Sequence, residues 1–194
     1  MMAFINRLTD LGDLAVLLPL AAAVTLWLLT IRQPRIVIWW LVAIGLCMGS
    51  TAVLKIYFFV CPPMTNLHSP SGHTSLSTLV YGALTVAIAA ALTGWRRFAA
   101  AAVGGIFIVG IGISRVLVEA HSIPEVVLGS VIGSIALALF ASQFWSRRPA
   151  EPWLWPLVVA CAFLMALLNG HDVSVEDLLH AIGIYLNHAG MVCL

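Results

Sequence analysis

Six long apolar runs, separated by short polar breaks, dominate this sequence. A helix needs about 20 mostly apolar residues to cross a bilayer, and each run is close to that length. Only 9% of the residues are charged and 62% are hydrophobic, whereas a soluble domain carries about 25% charged residues. We therefore predict an all-α, polytopic transmembrane helical bundle in which residues 1–194 form a single domain. The predicted spans are residues 12–30, 36–60, 75–93, 98–118, 125–145 and 153–170.

The first apolar run is expected to remain in the protein as a span. Arg7 is followed by Asp10 and Asp13, and the run then continues to Leu29 without a small-residue cleavage site. A secretory signal peptide would end at such a site.

The arginines predict the orientation of the bundle. Short connections rich in arginine stay in the cytoplasm, and three arginine pairs lie in the first, third and fifth connections. The second and fourth connections, both termini and the C-terminal tail are therefore predicted to face the periplasm of a bacterial inner membrane. The pairs are Arg32 with Arg35, Arg96 with Arg97, and Arg147 with Arg148.

Three further patterns concern packing. Gly45 with Gly49, and Gly129 with Gly133, have the GxxxG spacing that permits two helices to approach closely. Residues 171–194 alternate apolar and polar groups, which predicts an outward-facing amphipathic helix at the membrane interface. The four cysteines have neither the spacing nor the density of a disulfide or zinc framework.

Two basic residues lie near the outward ends of spans. They are Lys55 and Arg115, the cations that remain after the arginine pairs and Arg7. A charge at the bilayer centre is unfavourable by roughly 2.5–3.5 kcal/mol on insertion scales, so a charge kept within a span often marks a functional site. For either residue taken singly, a side chain that reaches the interface is the alternative.

The second connection ends in residues 69–74, Ser-Pro-Ser-Gly-His-Thr, directly before the third span. Gly72 permits a ligand to approach the backbone closely, and Ser71 and Thr74 offer hydroxyl donors. The N–H groups at the start of the following helix favour an anion. Taken alone, Pro-Ser-Gly is an ordinary turn.

The fourth connection contains a histidine with a carboxylate four positions later. Pro124 suits the first turn of the fifth span. Glu125 can accept a hydrogen bond from one imidazole nitrogen of His121, which fixes the tautomer and leaves the other nitrogen as a nucleophile. Both connections start helices that face the same outward pocket.

Together these blocks resemble the signature of the type 2 phosphatidic acid phosphatase family, which vanadium haloperoxidases and bacterial acid phosphatases share. That signature reads Lys-x6-Arg-Pro, Pro-Ser-Gly-His and Ser-Arg-x5-His-x3-Asp. The resemblance covers about residues 50–135, with Pro62 in place of the arginine and Glu125 in place of the aspartate. The matching blocks are Lys55-x6-Pro62-Pro63, Pro70-Ser71-Gly72-His73 and Ser114-Arg115-x5-His121-x3-Glu125.

The resemblance implies an integral membrane phosphatase that acts on a phosphorylated lipid without a metal or cofactor. His121 would attack phosphorus and form a phosphohistidine, Glu125 would orient His121, and His73 would protonate the leaving group and then activate water. The phosphate oxygens would be held by Lys55, Ser71, the Gly72 amide and Arg115. A net charge of +1 gives no indication of a nucleic-acid partner.

Three other functions remain open at this stage, of which a transporter is the weakest because the charges lie at helix ends on one face, with no polar path through the bundle. A lipid phosphotransferase would form the same intermediate and pass the phosphate to a second lipid. A catalytically weakened relative that only binds lipid is favoured by Pro62 and Glu125, but the joint presence of both histidines and both cations disfavours it. The candidate substrates are phosphatidate, phosphatidylglycerophosphate, polyprenyl diphosphate and lipid A.

Overall fold

The structure, a computed structural model, describes residues 2–61, 69–147, 154–171, 179 and 181–185. Helices make up most of the described chain, and the described residues include no β-strand. The all-α prediction is therefore confirmed. The helices are α1 (Met2–Asp10), α2 (Leu14–Thr30), α3 (Pro34–Val60), α4 (Gly72–Ala91), α5 (Trp95–Leu117), α6 (Ile123–Arg147) and α7 (Trp155–Leu168).

Each of the six predicted spans coincides with one helix from α2 to α7. Helices α3 to α6 are long and apolar enough to cross a membrane, and α1 and α2, bent by 44° at a short break, pass the same test as a pair. The apolar helix α7 is shorter, at 14 residues. The prediction of about six spans is thus consistent with four long helices, one bent pair and one short helix.

The connections alternate between the two ends of the bundle because short loops join antiparallel neighbours. One end, here called the arginine end, carries Arg32, Arg35, Arg96, Arg97 and Arg147. Arg148 lies outside the described residues. The opposite end, here called the site end, carries the α1–α2 break, the end of α3, the start of α4 and the α5–α6 turn.

The apolar core lies towards the arginine end. Trp40 is fully buried, its ring centroid is 5.1 Å from that of Phe140, and its indole N–H donates to Thr25 Oγ1 at 3.0 Å. Trp27 and Phe144 pack beside this pair, with centroids 6.2 Å apart. Because lipid tails are as apolar as these side chains, close van der Waals packing holds this half together.

The site end buries polar side chains instead. Such groups are unfavourable away from water unless they find a partner within the protein, and among the buried hydroxyls described at this end only that of Ser77 has none. Thr51 on α3 and Ser75 on α4 share a hydrogen bond of 3.1 Å, and Thr78 donates to the Thr74 carbonyl at 2.7 Å. These buried polar residues are Thr9, Asp13, Thr51, Ser71, Thr74, Ser75, Ser77, Thr78, Ser114 and Glu125.

Helices α4 and α6 approach each other closely at two glycines. A Cβ atom on Gly129 would lie 2.5 Å from the Ser71 carbonyl oxygen, and one on Gly133 would meet the Ser75 carbonyl oxygen. The predicted role of this GxxxG pair in packing is therefore confirmed. At Gly45 and Gly49 no described atom lies within 4 Å of the equivalent position, so that pair makes no helix contact within the described chain.

The C-terminal tail and the cysteines were the subject of two further predictions. The amphipathic tail falls mostly outside the described residues, although 181–185 are helical and Gly183 lies against the Phe59 ring. Cys61 is disulfide-bonded, a single bond that the cysteine spacing in the sequence did not reveal. Cys47 and Cys161 are free and buried.

Gly129→Ala should destabilise the bundle because the new methyl group would meet backbone, which cannot yield as a flexible side chain can. Overpacking of this kind destabilises by about 1–3 kcal/mol. The midpoint of thermal unfolding in detergent should fall, measured by the reaction of a thiol-specific dye with the buried Cys47 and Cys161 as they become exposed.

Gly45→Ala is the matched control, since it makes the same change in a long apolar helix where no neighbour is met. It should leave the midpoint unchanged or raise it slightly, because alanine favours a helix over glycine. Equal midpoints for the two variants would contradict the close α4–α6 packing described above.

Candidate active site

Lys55 lies next to the first turn of α4. Thr51, one helical turn before Lys55, is hydrogen-bonded to Ser75 on α4, so this face of α3 is held against α4. A Cβ atom on Gly72 would lie 3.9 Å from Lys55 Cε. The first and second sequence blocks therefore meet at the start of α4, as the predicted phosphate site requires.

Ser71 caps the N-terminus of α4. Its hydroxyl oxygen accepts hydrogen bonds from the Thr74 backbone N–H at 3.3 Å and from the Thr74 hydroxyl at 3.0 Å. This side-chain cap explains why the helix begins at Gly72, three residues before the predicted start of the span. Ser71 is completely buried, and its contact with phosphate stays a prediction.

The end of α5 turns sharply and carries His121 back over Arg115. The Arg115 carbonyl oxygen accepts from the backbone N–H groups of Ala120 at 3.1 Å and His121 at 3.2 Å. Glu119 adopts the left-handed conformation with φ of 58°, as the residue after a helix does in a Schellman ending. Arg115 and His121 are thus held together by the backbone of one turn.

His121 and Glu125 form the pair that their spacing predicted. His121 Nδ1 lies 3.1 Å from Glu125 Oε2, and the two side chains are only 7% and 8% exposed. An ionised carboxylate only accepts hydrogen bonds, so Nδ1 carries the proton. The other nitrogen, Nε2, therefore has its lone pair available for attack.

Glu125 also binds two backbone groups from separate parts of the chain. Its Oε1 accepts from the Ser69 N–H at 2.9 Å, and its Oε2 accepts from the Ser122 N–H at 2.9 Å. The second contact is that of a capping-box glutamate. The backbone carbonyl of Glu125 accepts from the Ser71 N–H at 3.1 Å. One residue therefore joins the second sequence block to the third.

Burial is the largest factor that lowers the pKa of His121 below its ordinary value of 6.5, and the nearby cations Arg115 and Lys55 lower it further. The hydrogen bond to Glu125 acts in the opposite direction. The net effect favours a neutral imidazole at neutral pH, which is the nucleophilic form.

His73 has a carboxylate partner that was not predicted. Its Nε2 lies 3.3 Å from Asp13 Oδ2, in the break between α1 and α2. The sequence did contain a signal, because an acidic residue at the start of an apolar run is unfavourable there without a partner. In the sequence, Asp13 argues only against a signal peptide.

The structure thus brings Lys55, Gly72, Arg115, His121 and Glu125 to one end of the bundle. Pro62, where the sequence departs from the family signature, lies outside the described residues. Within the described chain, no three His, Cys, Asp or Glu side chains are grouped in a way that could hold a metal ion.

Comparison with known proteins identifies the family of this chain. Residues 36–150 match the PAP2 superfamily, which is more than half of the chain. The chain belongs to the PAP2 superfamily. Its members are generally phosphatases, and membership supports a phosphatase-type function for this chain. All the site residues named above except Asp13 lie within the matched region.

One relative of this PAP2 protein comes from Klebsiella pneumoniae, where it is named "Uncharacterized 22.5 kDa protein in cps region". The two are 29% identical over 170 residues, which cover 84% of this chain and 80% of the relative. No solved structure matches the chain significantly.

Glu125→Asp should reduce phosphate release sharply even though the charge is kept. The shorter side chain cannot hold Ser69, Ser122 and His121 together, and each lost hydrogen bond to a charged group is worth about 1.5–3 kcal/mol. We expect kcat/KM to fall about tenfold or more. Had Glu125 touched only His121, aspartate would have sufficed.

Glu119→Asp is the matched control. It makes the same chemical change six residues earlier in the sequence, on an exposed side chain of the same turn. Aspartate tolerates the left-handed backbone conformation, so this control should keep wild-type kinetics. If Glu125→Asp behaved like Glu119→Asp, the bridging role of Glu125 would be wrong.

Proposed function

We propose that this protein hydrolyses a phosphate ester or diphosphate of a membrane lipid through a phosphohistidine at His121. The observation that carries the proposal is the buried His121–Glu125 pair at 3.1 Å with two cations, Arg115 and Lys55, close enough to lower the pKa of the imidazole. A neutral, oriented imidazole beside two positive charges suits attack on a phosphorus atom that carries negative oxygens.

The proposed reaction has two steps. His121 Nε2 attacks phosphorus, the bond between phosphorus and the lipid oxygen breaks, and His73 gives a proton to that oxygen. Water then attacks the phosphohistidine while His73 takes up a water proton, and the phosphorus–nitrogen bond breaks to release phosphate. Lys55, Arg115 and the Gly72 N–H stabilise the charge on the phosphate oxygens, with Ser71 assigned to the same site.

A lateral groove between α5 and α6 supports a lipid rather than a water-soluble substrate. It has a cavity volume of ≈ 660 Å³, and its lining includes Val116, Leu117 and Ile123, which flank the His121 turn. From there it continues along α5 to Gly105, roughly 18 Å further at about 1.5 Å per residue. An acyl or prenyl chain in this groove would leave its phosphate near His121.

The arginines support an outward-facing site. All the described residues of the three arginine pairs lie at the end of the bundle opposite His121, and short arginine-rich connections remain in the cytoplasm. We therefore place the reaction at the periplasmic face of a bacterial inner membrane. The substrate would be a phosphorylated lipid of the outward leaflet.

The direct test is phosphate release from purified protein with phosphatidate, phosphatidylglycerophosphate, polyprenyl diphosphate and lipid A. His121→Ala should lower kcat by about a thousandfold or more, because the nucleophile is lost. A second measurement uses substrate labelled in its phosphate and quenches the reaction with acid or with alkali. Alkaline quenching should preserve a labelled protein in the wild type but not in His121→Ala. Acid quenching should destroy any phosphohistidine.

His171→Ala is the control, since His171 is also a described histidine but has an exposed side chain. It should release phosphate at the wild-type rate. If the label passed to a second lipid and no free phosphate were released, the reaction would be phosphotransfer and not hydrolysis. Substantial turnover by His121→Ala would rule out the phosphohistidine.

The groove has its own test in Gly105→Leu. The space around Gly105 is open, so a leucine side chain would fill the groove without disturbing the helices. We expect KM for a long-chain substrate to rise about fivefold, close to 1 kcal/mol, while a short-chain, water-soluble phosphate ester is turned over normally.

Gly45→Leu adds the same side chain at another open position of a long apolar helix, away from the groove. Both substrates should then behave as in the wild type. An equal effect of Gly105→Leu on long and short substrates, or none on either, would argue that the lipid chain lies elsewhere.

A further inference from the structure

The break between α1 and α2 places a buried carboxylate against His73. Asp13 is 5% exposed and caps α2, with Oδ1 accepting from the Ala15 N–H at 2.8 Å. Its second oxygen, Oδ2, lies 3.3 Å from His73 Nε2. One side chain therefore starts a helix and contacts a histidine about sixty positions later in the chain.

Three other contacts fix the position of this break. Thr9 Oγ1 donates to Ser114 Oγ on α5 at 2.8 Å, and the Tyr81 hydroxyl on α4 donates to the Leu11 carbonyl at 2.6 Å. A Cβ atom on Gly12 would lie 2.9 Å from Ile111 Cγ2 on α5, so no larger residue fits there without a shift. The carboxylate is thus held on a rigid part of the bundle.

Helix capping alone does not account for an aspartate at this position. Serine, threonine and asparagine cap helices about as well without a charge. A buried ionised carboxylate is strongly unfavourable unless it is paired and hydrogen-bonded. The charge is explained if its second oxygen serves the imidazole of His73.

We infer that Asp13 is a positioning residue that acts through His73. Asp13 accepts a hydrogen bond from His73 Nε2–H, which orients the ring and stabilises the imidazolium form. Nδ1 then faces the reaction: it gives its proton to the departing lipid oxygen and later takes a proton from the attacking water. This inference rests on the proposed function, because it assigns the means by which His73 serves as acid and base.

The two histidines then have carboxylate partners on opposite ring nitrogens. Glu125 binds Nδ1 of His121, which leaves Nε2 for attack, whereas Asp13 binds Nε2 of His73, which leaves Nδ1 for proton transfer. The nucleophile is buried beside two cations that favour its neutral form. The acid–base histidine is 23% exposed and meets a carboxylate that favours its charged form.

The test compares two short-chain substrates that differ in how much they need a proton donor. An alkyl phosphate has a poor leaving group and requires general-acid assistance, whereas an aryl phosphate with an acidic phenol does not. Asp13→Asn keeps a capping side chain, so the helix start is preserved. We expect kcat for the alkyl ester to fall about tenfold or more, with KM nearly unchanged and the aryl ester much less affected.

Tyr81→Phe is the matched control because it removes another contact of the same break, that to the Leu11 carbonyl, and leaves the carboxylate in place. Any loosening of the break should change both substrates equally. Asp13→Ser, which also caps a helix, should reproduce the leaving-group selectivity of Asp13→Asn if the asparagine variant folds poorly.

A double-variant cycle separates an effect through His73 from a general one. In a His73→Asn background, Asp13→Asn should have no further effect on either substrate. The inference is overturned by equal losses on both substrates, by normal kinetics of Asp13→Asn, or by additive losses in the double variant. Failure of the proposed function is seen separately, as absent phosphate release from the wild type or turnover by His121→Ala.

Discussion

The Glu125 carboxylate joins the parts of the site that are distant in sequence. It accepts from Ser69 on the second connection and from Ser122 and His121 on the fourth, and it is almost completely buried. A charge in this environment is stable only when its lone pairs are satisfied. The same bonds therefore stabilise a buried charge, hold two connections together and set the tautomer of the nucleophile.

Glycine at two positions of α6 makes this arrangement possible. At Gly129 and Gly133 the carbonyl groups of α4 lie where other residues would have a Cβ atom, so the first turn of α4 reaches Glu125. Large aromatic side chains fill the arginine end, as in the pair Trp40 and Phe140. The bundle thus separates a tightly packed apolar half from a half that buries hydroxyls and carboxylates, most of which are hydrogen-bonded to the backbone or to one another.

The bend between α1 and α2 adds a carboxylate to the polar half of the bundle. A straight helix through residues 2–30 would have no helix start at Asp13, whereas the break creates one beside His73. The site end therefore holds two imidazole–carboxylate pairs, His73 with Asp13 and His121 with Glu125. The two histidines contact their carboxylates through different ring nitrogens. The region that matches the PAP2 superfamily, residues 36–150, contains both histidines, whereas Asp13 lies outside it.

The sequence by itself determined the helical spans, the arginine asymmetry, and the identity and spacing of His121 and Glu125, because hydrophobic length and the i, i+4 distance on a turn are local properties. Only the tertiary structure decided that Asp13 meets His73, that Glu125 reaches Ser69, that one GxxxG pair packs and the other does not, and that Cys61 is disulfide-bonded. These contacts join positions far apart in the chain. They depend on how helices rotate and approach one another, and that rotation is fixed by the packing of all of them together.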